Sequence, residues 1–400
     1  MKLRVENIRH DIGEEAPIYI YGFGLAGRWL SMQLPERVKG FIDTDLKKKG
    51  KSIDGVRVMS IEEAMDIMPL EAVVIVSVID IQDVIDIVNT LPHTRWVALG
   101  VYLESGDAVA VSGLSESPEF VDYSLTAVEQ CHKAYFDPDK LYLRSVDVMI
   151  TERCTLKCRD CSNLMQYYEN PVNISFDRIV EDFNSLVNSV DHIFEVRLIG
   201  GEPFMNKDIY EIIEWLVKSV KLSRLVIYSN AMVPFKVEKM SSLRNPKVVL
   251  SLTNYGDLAK KTMDNVARLD EAGIPYRLHP PENWTDSGVI HDFRRTVAEN
   301  ELLFKNCCGK NLLTLSAGKL YRCPFAANAD RLGAIPADPS NAVNASGGKR
   351  LITTYTRDIS YLPACNFCKG RSFDAPQIEP AIQAPKALAY RRFVLMPERI

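Results

Sequence analysis

The chain has 400 residues, 46% of them apolar, and a formal charge of −4. That length predicts two or three domains, and the small net charge without a polybasic block speaks against nucleic acid or an anionic membrane as partner. The longest apolar run, residues 72–79, is too short to span a bilayer, and the charge-rich residues 1–16 predict no secretory signal. Nine cysteines are an odd count for a disulfide framework. Seven of them fall in close spacings of the metal-binding kind, which places the chain in a reducing cytoplasm.

Residues 1–112 read as a first domain. A short apolar strand, residues 18–21, enters Gly22-Phe23-Gly24-Leu25-Ala26-Gly27, a helical stretch follows to residue 34, and residues 38–42 form a second strand ending at Asp43. Residues 72–78 and 96–99 read as further strands. Strand, glycine turn, helix, strand and acid in this order resemble a Rossmann nucleotide-binding half. Gly22, Gly24 and Gly27 would let the backbone close on a pyrophosphate at a helix N-terminus, with Asp43 on a ribose hydroxyl. The run Gly40-Phe41-Ile42-Asp43-Thr44-Asp45 and the later Gly55-Val56-Arg57-Val58 resemble the front domain of sugar-nucleotide acyltransferases and of polysaccharide-biosynthesis epimerases and dehydratases. That resemblance implies a sugar nucleotide ahead of NAD as ligand. The bland alternative is a domain whose glycines only make a tight turn. Residues 113–145 read as a connector with a helix over 119–136.

Residues 146–304 alternate strand and helix, with strands at 146–151, 195–199, 225–228, 248–252 and 276–278, the pattern of parallel strands with helical crossovers. The first strand leads into Cys154-Thr155-Leu156-Lys157-Cys158-Arg159-Asp160-Cys161. Three thiols on so short a loop can turn onto one soft metal centre. A closed zinc site needs four ligands, and three thiolates on an iron–sulfur cube leave one iron open. The second strand ends in Gly200-Gly201-Glu202-Pro203. A CxxxCxxC loop after one strand and GGEP after the next resemble the radical S-adenosylmethionine (SAM) superfamily. The resemblance implies that Cys154, Cys158 and Cys161 hold a [4Fe-4S] cluster and act as the catalytic set. It further implies that SAM binds the open iron, that Gly200, Gly201, Glu202 and Pro203 line the SAM site, and that Ser229 and Asn230 meet the SAM ribose. Cleavage of SAM by an electron from the cluster then yields a 5′-deoxyadenosyl radical that abstracts hydrogen. The position before the third cysteine, aromatic in that family, is Asp160 here. Five strands are one short of the six of such a core, so the barrel is shortened or a sixth strand lies within 284–305.

Residues 305–373 hold the second cysteine set. Cys308, a hairpin around Gly318, Cys323 and the pair Cys365 and Cys368 resemble the "twitch" extension, a shortened SPASM domain, in which four cysteines bind one auxiliary [4Fe-4S] cluster. Cys308 is favoured over Cys307 on spacing, and four closed thiolates suit structural zinc equally well. Residues 374–400 are proline-rich and read as a surface tail without regular structure.

The resulting expectation is an α/β chain: a Rossmann-like parallel sheet, a partial radical SAM barrel, and a small twitch extension. Its implied partners are a sugar or sugar-nucleotide substrate and an external electron donor such as flavodoxin or ferredoxin. An auxiliary cluster able to take the second electron favours dehydrogenation over epimerisation or dehydration. The rival readings are modification of a ribosomal peptide and a nucleotide-sensing scaffold with structural metal sites.

Overall fold

The computed structural model describes all residues except 93–94, 107–113, 373–374 and 394–400. The expected boundary at 112/113 and the tail positions Asp374 and Pro397 lie outside the described residues. Contacts divide the chain into two units, Met1–Arg144 and Ser145–Ile400.

In the first unit, the strands Ile18–Tyr21, Val38–Ile42, Val56–Met59, Val73–Val76 and Trp96–Ala98 pair in parallel. Their spatial order is third, second, first, fourth, fifth, the order of doubly wound sheets that reverse direction beside the first strand. Residues 56–59, read above only as part of a turn motif, form the third of these strands because Val58 and Met59 are apolar and buried. The helix expected in the connector spans Pro118–Tyr135. Its Val121, Leu125 and Val128 share one core with Trp29 and Leu30 of the helix Leu25–Gln33. The connector helix is thus part of the first unit's core, and the division of the chain falls at 144/145.

That helix also carries His132, wholly buried. Its Nδ1 accepts the Gly100 N–H at 2.9 Å, so Nε2 carries the proton and donates to the Val78 carbonyl at 2.6 Å. Burial lowers its pKa from 6.5 to about 4. The unfolded chain therefore takes up a proton before the folded one, and stability falls as the pH drops from 6.5 to about 4. The expected loss across that window is on the order of 3 kcal/mol. It should be visible in melting temperature against pH and should flatten in His132→Gln, which keeps a donor and an acceptor but does not titrate.

The second unit is built on Tyr142–Thr151, His192–Gly200, Leu222–Ser229, Val248–Thr253 and Tyr276–His279, adjacent in chain order. The four later strands pair in parallel. Right-handed crossovers between strands laid down in one direction put every helix on one face. The residues toward that face, Val196, Leu198, Leu225, Ile227, Leu250 and Leu252, are fully buried. The five expected strands are present; within 284–305 the strand Trp284–Thr285 pairs antiparallel with Gln377–Ile378 in a separate sheet and does not extend the barrel sheet. Instead Leu313–Ser316 joins the opposite edge, parallel to the first strand, and continues through the hairpin to Lys319–Tyr321 and Ala342–Asn344. The cysteine-bearing extension therefore prolongs the same sheet. No described helix is long and apolar enough to cross a membrane.

Candidate functional site

The cysteine loop leaves the first strand at Thr151 and sits directly on the glycine turn that ends the second. Gly201 N–H donates to Thr151 O at 3.1 Å and Glu202 N–H to Arg153 O at 2.7 Å. A β-carbon on Gly200 would come within 2.1 Å of Thr151 O, and one on Gly201 within 2.2 Å of Arg153 O and 2.7 Å of Cys154 Cβ. Both glycines are therefore required by the closeness of the loop, and Gly200 also has φ of +156°. Pro203 opens a short 3₁₀ turn capped by the Glu202 side chain.

Glu202 is buried and holds three donors: Phe204 N–H at 3.1 Å, Ser229 Oγ–H at 2.7 Å and Asn230 N–H at 2.8 Å. Burial raises its pKa to about 7 against the pull of those bonds. Ser229, expected at a ribose, gives its proton to Glu202 instead. Asn230 turns to the loop: its amide bonds Thr155 Oγ1 at 2.9 Å and lies 3.9 Å from Cys154 Sγ. The thiols of Cys154, Cys158 and Cys161 are raised, first by burial, and the charges of Cys158 and Cys161 weigh on Cys154. A cation at their focus would be needed to hold them as thiolates. Leu156 and the three cysteines pack with Ala381, Tyr255 and Trp284. Two aromatic rings thus stand beside the loop although Asp160 occupies the usual aromatic position. Sequence reasoning missed both, because they arrive from strand ends about a hundred residues downstream.

The second cysteine set is gathered from separate elements. Cys323 N-caps the helix Pro324–Arg331, its Sγ accepting the Ala326 N–H at 3.4 Å. Cys365 lies in the turn Pro363–Phe367 and Cys368 follows it. Arg295 Nη1 ties the carbonyls of both, each at 2.8 Å, and Gly370 N–H reaches Cys368 Sγ at 3.3 Å. Burial pushes Cys323 up to about 11 and Cys365 up to about 12, and raises Cys368 well above its usual value. All three also feel Cys307. Cys307, after the helix Val297–Lys305, therefore stands as a candidate fourth ligand beside Cys308, which the spacing favours. In the same turn the Cys308 N–H pairs with Arg371 O. Cys307→Ala should lower bound iron by about four per chain and Cys308→Ala should leave it unchanged, read by iron analysis after anaerobic reconstitution.

Glu152, just before the first loop, joins the two regions through Arg331 Nε at 2.7 Å, both side chains at most 9% exposed. Among the described residues no three His, Cys, Asp or Glu side chains stand close enough to grip a single metal ion. A cube spreads its thiolates over different irons, which is a wider set than one tetrahedral zinc requires. Cys154, Cys158 and Cys161 supply the thiol donors that such a cluster takes.

The sheet face away from the helices is charged. Asp147 pairs with Arg197 at 2.5 Å, and burial raises Asp147 to about 6 against that partner. Tyr228, Ser251 and Arg277 are in register across three strands and share one face. Among the described residues the buried Arg197 Nη2 has no hydrogen-bond partner.

In the first unit the expected nucleotide residues divide by role. A β-carbon on Gly27 would meet Gly22 O at 2.1 Å, and one on Gly22 would meet Val78 Cγ1 at 2.8 Å, so both serve the turn itself. Gly24, at the helix N-cap, faces open space. Asp43, expected at a ribose, accepts within the protein from Phe23 N–H at 2.8 Å, Asp45 N–H at 2.9 Å and Lys48 Nζ at 2.9 Å. Beside Gly24 lies an open pocket of about 450 Å³ lined by Phe23, Arg28, Lys48, Lys51, Ser52 and Ile53. Its three cations were not singled out from the sequence, where they are scattered over 24 residues.

The parallel sheet carries a three-cysteine loop seated on a glycine turn, a donor set suited to a soft metal centre. Residues 148–291 match the model of the Radical SAM superfamily. The superfamily uses a [4Fe-4S] cluster and S-adenosylmethionine. The GTP 3′,8-cyclase of Listeria monocytogenes serovar 1/2a is 26% identical over 148 residues, 34% of this chain and 44% of the cyclase. The chain thus spans less than half the length of that curated relative. Among solved structures, BtrN in complex with AdoMet and 2-DOIA is 12% identical, covering 58% of this chain and 94% of that one at a TM-score of 0.39. Streptococcus suis SuiB bound to precursor peptide SuiA is 16% identical, covering 44% and 41% at a TM-score of 0.28.

Proposed function

We propose that the chain is a cytoplasmic radical SAM oxidoreductase that dehydrogenates a carbohydrate carried on a nucleotide. In this reading Cys154, Cys158 and Cys161 hold the SAM-binding cluster, and Cys307, Cys323, Cys365 and Cys368 form a twitch-type auxiliary site. The cluster and SAM, when bound, supply hydrogen-atom abstraction; flavodoxin or ferredoxin is the class of reductant required. The observation that carries the reading is the seat of the three-cysteine loop on Gly200 and Gly201, closed from the side by Asn230 and Thr155. Glu202 locks that seat by binding the backbone after the third barrel strand. The charged inner face, with the unpartnered Arg197 Nη2, suits a substrate rich in hydroxyl acceptors. The open N-cap at Gly24 beside Arg28, Lys48 and Lys51 suits the diphosphate of a Rossmann-bound sugar nucleotide.

The test is to incubate reduced, reconstituted protein and SAM with a panel of deuterated sugar nucleotides. Deuterium should appear in 5′-deoxyadenosine with one of them, and a ketone product separates dehydrogenation from epimerisation. Transfer from a peptide, and from no sugar, would replace this reading. Gly24→Val in the full chain should weaken sugar-nucleotide binding at least tenfold, about 1.4 kcal/mol, by calorimetry. Uncoupled SAM cleavage should be unchanged, since a β-carbon at Gly24 meets nothing within 4 Å.

A further inference from the structure

The tail expected to lie on the surface without regular structure does something else. Gln377–Ile378 pairs with Trp284–Thr285, and the chain then crosses the cysteine loop. Arg159 N–H donates to Ile382 O at 2.7 Å, and Ala384 N–H donates to Lys157 O at 2.6 Å. Between them the Gln383 side chain grips the loop twice. Its Oε1 accepts the Lys157 N–H at 2.8 Å, and its Nε2 lies 3.6 Å from Cys158 Sγ with donor geometry. The second Nε2 proton is held by Ala381 O at 2.6 Å, which fixes the amide orientation. Ala381 is 1% exposed, packs on Leu156 and Cys158, and has φ of +59°. A non-glycine residue in that region is strained and persists only where its surroundings enforce it. Pro380 and Pro385 flank the crossing and lower the entropy lost on ordering it. Beyond it, Leu388 N–H bonds Gln166 O, Tyr390 packs edge-on against Tyr167, and Phe393 N–H bonds Gly333 O.

We infer that residues 380–393 form a clamp over the cysteine loop, and that Gln383 is a positioning residue that holds the loop and donates a hydrogen bond to the sulfur of Cys158. The inference rests on the proposed reading of Cys154, Cys158 and Cys161 as cluster ligands. A donor at a ligand sulfur draws electron density from the cluster and favours its reduced form, one of the levers proteins use on cluster potential. The clamp also screens one side of the loop from solvent.

Gln383→Met keeps the size of the side chain and removes its two hydrogen bonds to the loop together with the one to Ala381 O. It should be made in the full chain, reconstituted anaerobically and compared with wild type by redox titration of the electron-paramagnetic-resonance signal that SAM perturbs. The iron released to a chelator should be followed alongside. The expected result is a midpoint potential shifted to more negative values, iron loss at least tenfold faster, or both. Wild-type potential together with wild-type iron retention overturns the proposal. A chain ending at residue 379 gives a second reading: it should lose the SAM-perturbed cluster and keep about four irons at the other site. Retention of about eight irons there, at wild-type potential, overturns the clamp. Absence of any SAM-perturbed cluster in wild type is a different failure, that of the ligand assignment itself.

Discussion

Replacing Cys154, Cys158 and Cys161 together by alanine is expected to reduce reconstituted iron from about eight to about four per chain and to abolish SAM cleavage. The three thiols leave one element, within eight residues, and pack into one small cluster with Leu156 and Ala381. The remaining set comes from three other segments, so its iron should survive. Iron content and 5′-deoxyadenosine formation, measured on the same sample, decide the matter. A triple variant that still cleaves SAM would remove the central assignment. One that retains zinc and no iron would instead remove the auxiliary cluster and make the second cysteine set a structural zinc site.

Gly201→Ala is expected to be nearly as damaging, although it adds a single methyl group and removes no ligand. The new β-carbon would lie 2.2 Å from Arg153 O, 2.6 Å from its carbonyl carbon and 2.7 Å from Cys154 Cβ, all backbone or backbone-proximal atoms that cannot swing aside. Relief requires the loop and turn to separate, which gives up the Gly201 N–H to Thr151 O and Glu202 N–H to Arg153 O bonds. Two buried bonds at about 1 kcal/mol each, plus the desolvation of the groups left unpaired, come to on the order of 3 kcal/mol. That corresponds to roughly a hundredfold loss in SAM affinity. Gly24→Ala is the matched control: its β-carbon meets nothing within 4 Å, so SAM binding should be unaffected. Equal SAM affinity in Gly201→Ala and wild type would show that the turn does not form the SAM seat.

Much of this protein is determined locally, and that part was legible in the sequence. The five barrel strands are continuous apolar or alternating runs, and such runs make buried strands wherever they are placed. The spacing of Cys154, Cys158 and Cys161 confines them to one loop. The glycines of residues 22–27 mark a strand-to-helix turn whatever binds there. Only the tertiary structure decided what depends on groups distant in the chain. Cys307 and Cys308 are adjacent and chemically identical, so spacing along the chain does not settle the choice of ligand between them. Asp43 lies where a ribose-binding acid would, but Lys48 and the Phe23 N–H engage its carboxylate. Ser229 and Glu202, 27 residues apart, find each other only because two parallel strands end side by side. The tail from Pro380 has no periodicity to read, since its order comes from backbone bonds to residues 157–159 that lie more than two hundred positions earlier. Local pattern reports what a segment buries; the partner that satisfies a buried polar group is chosen by the fold.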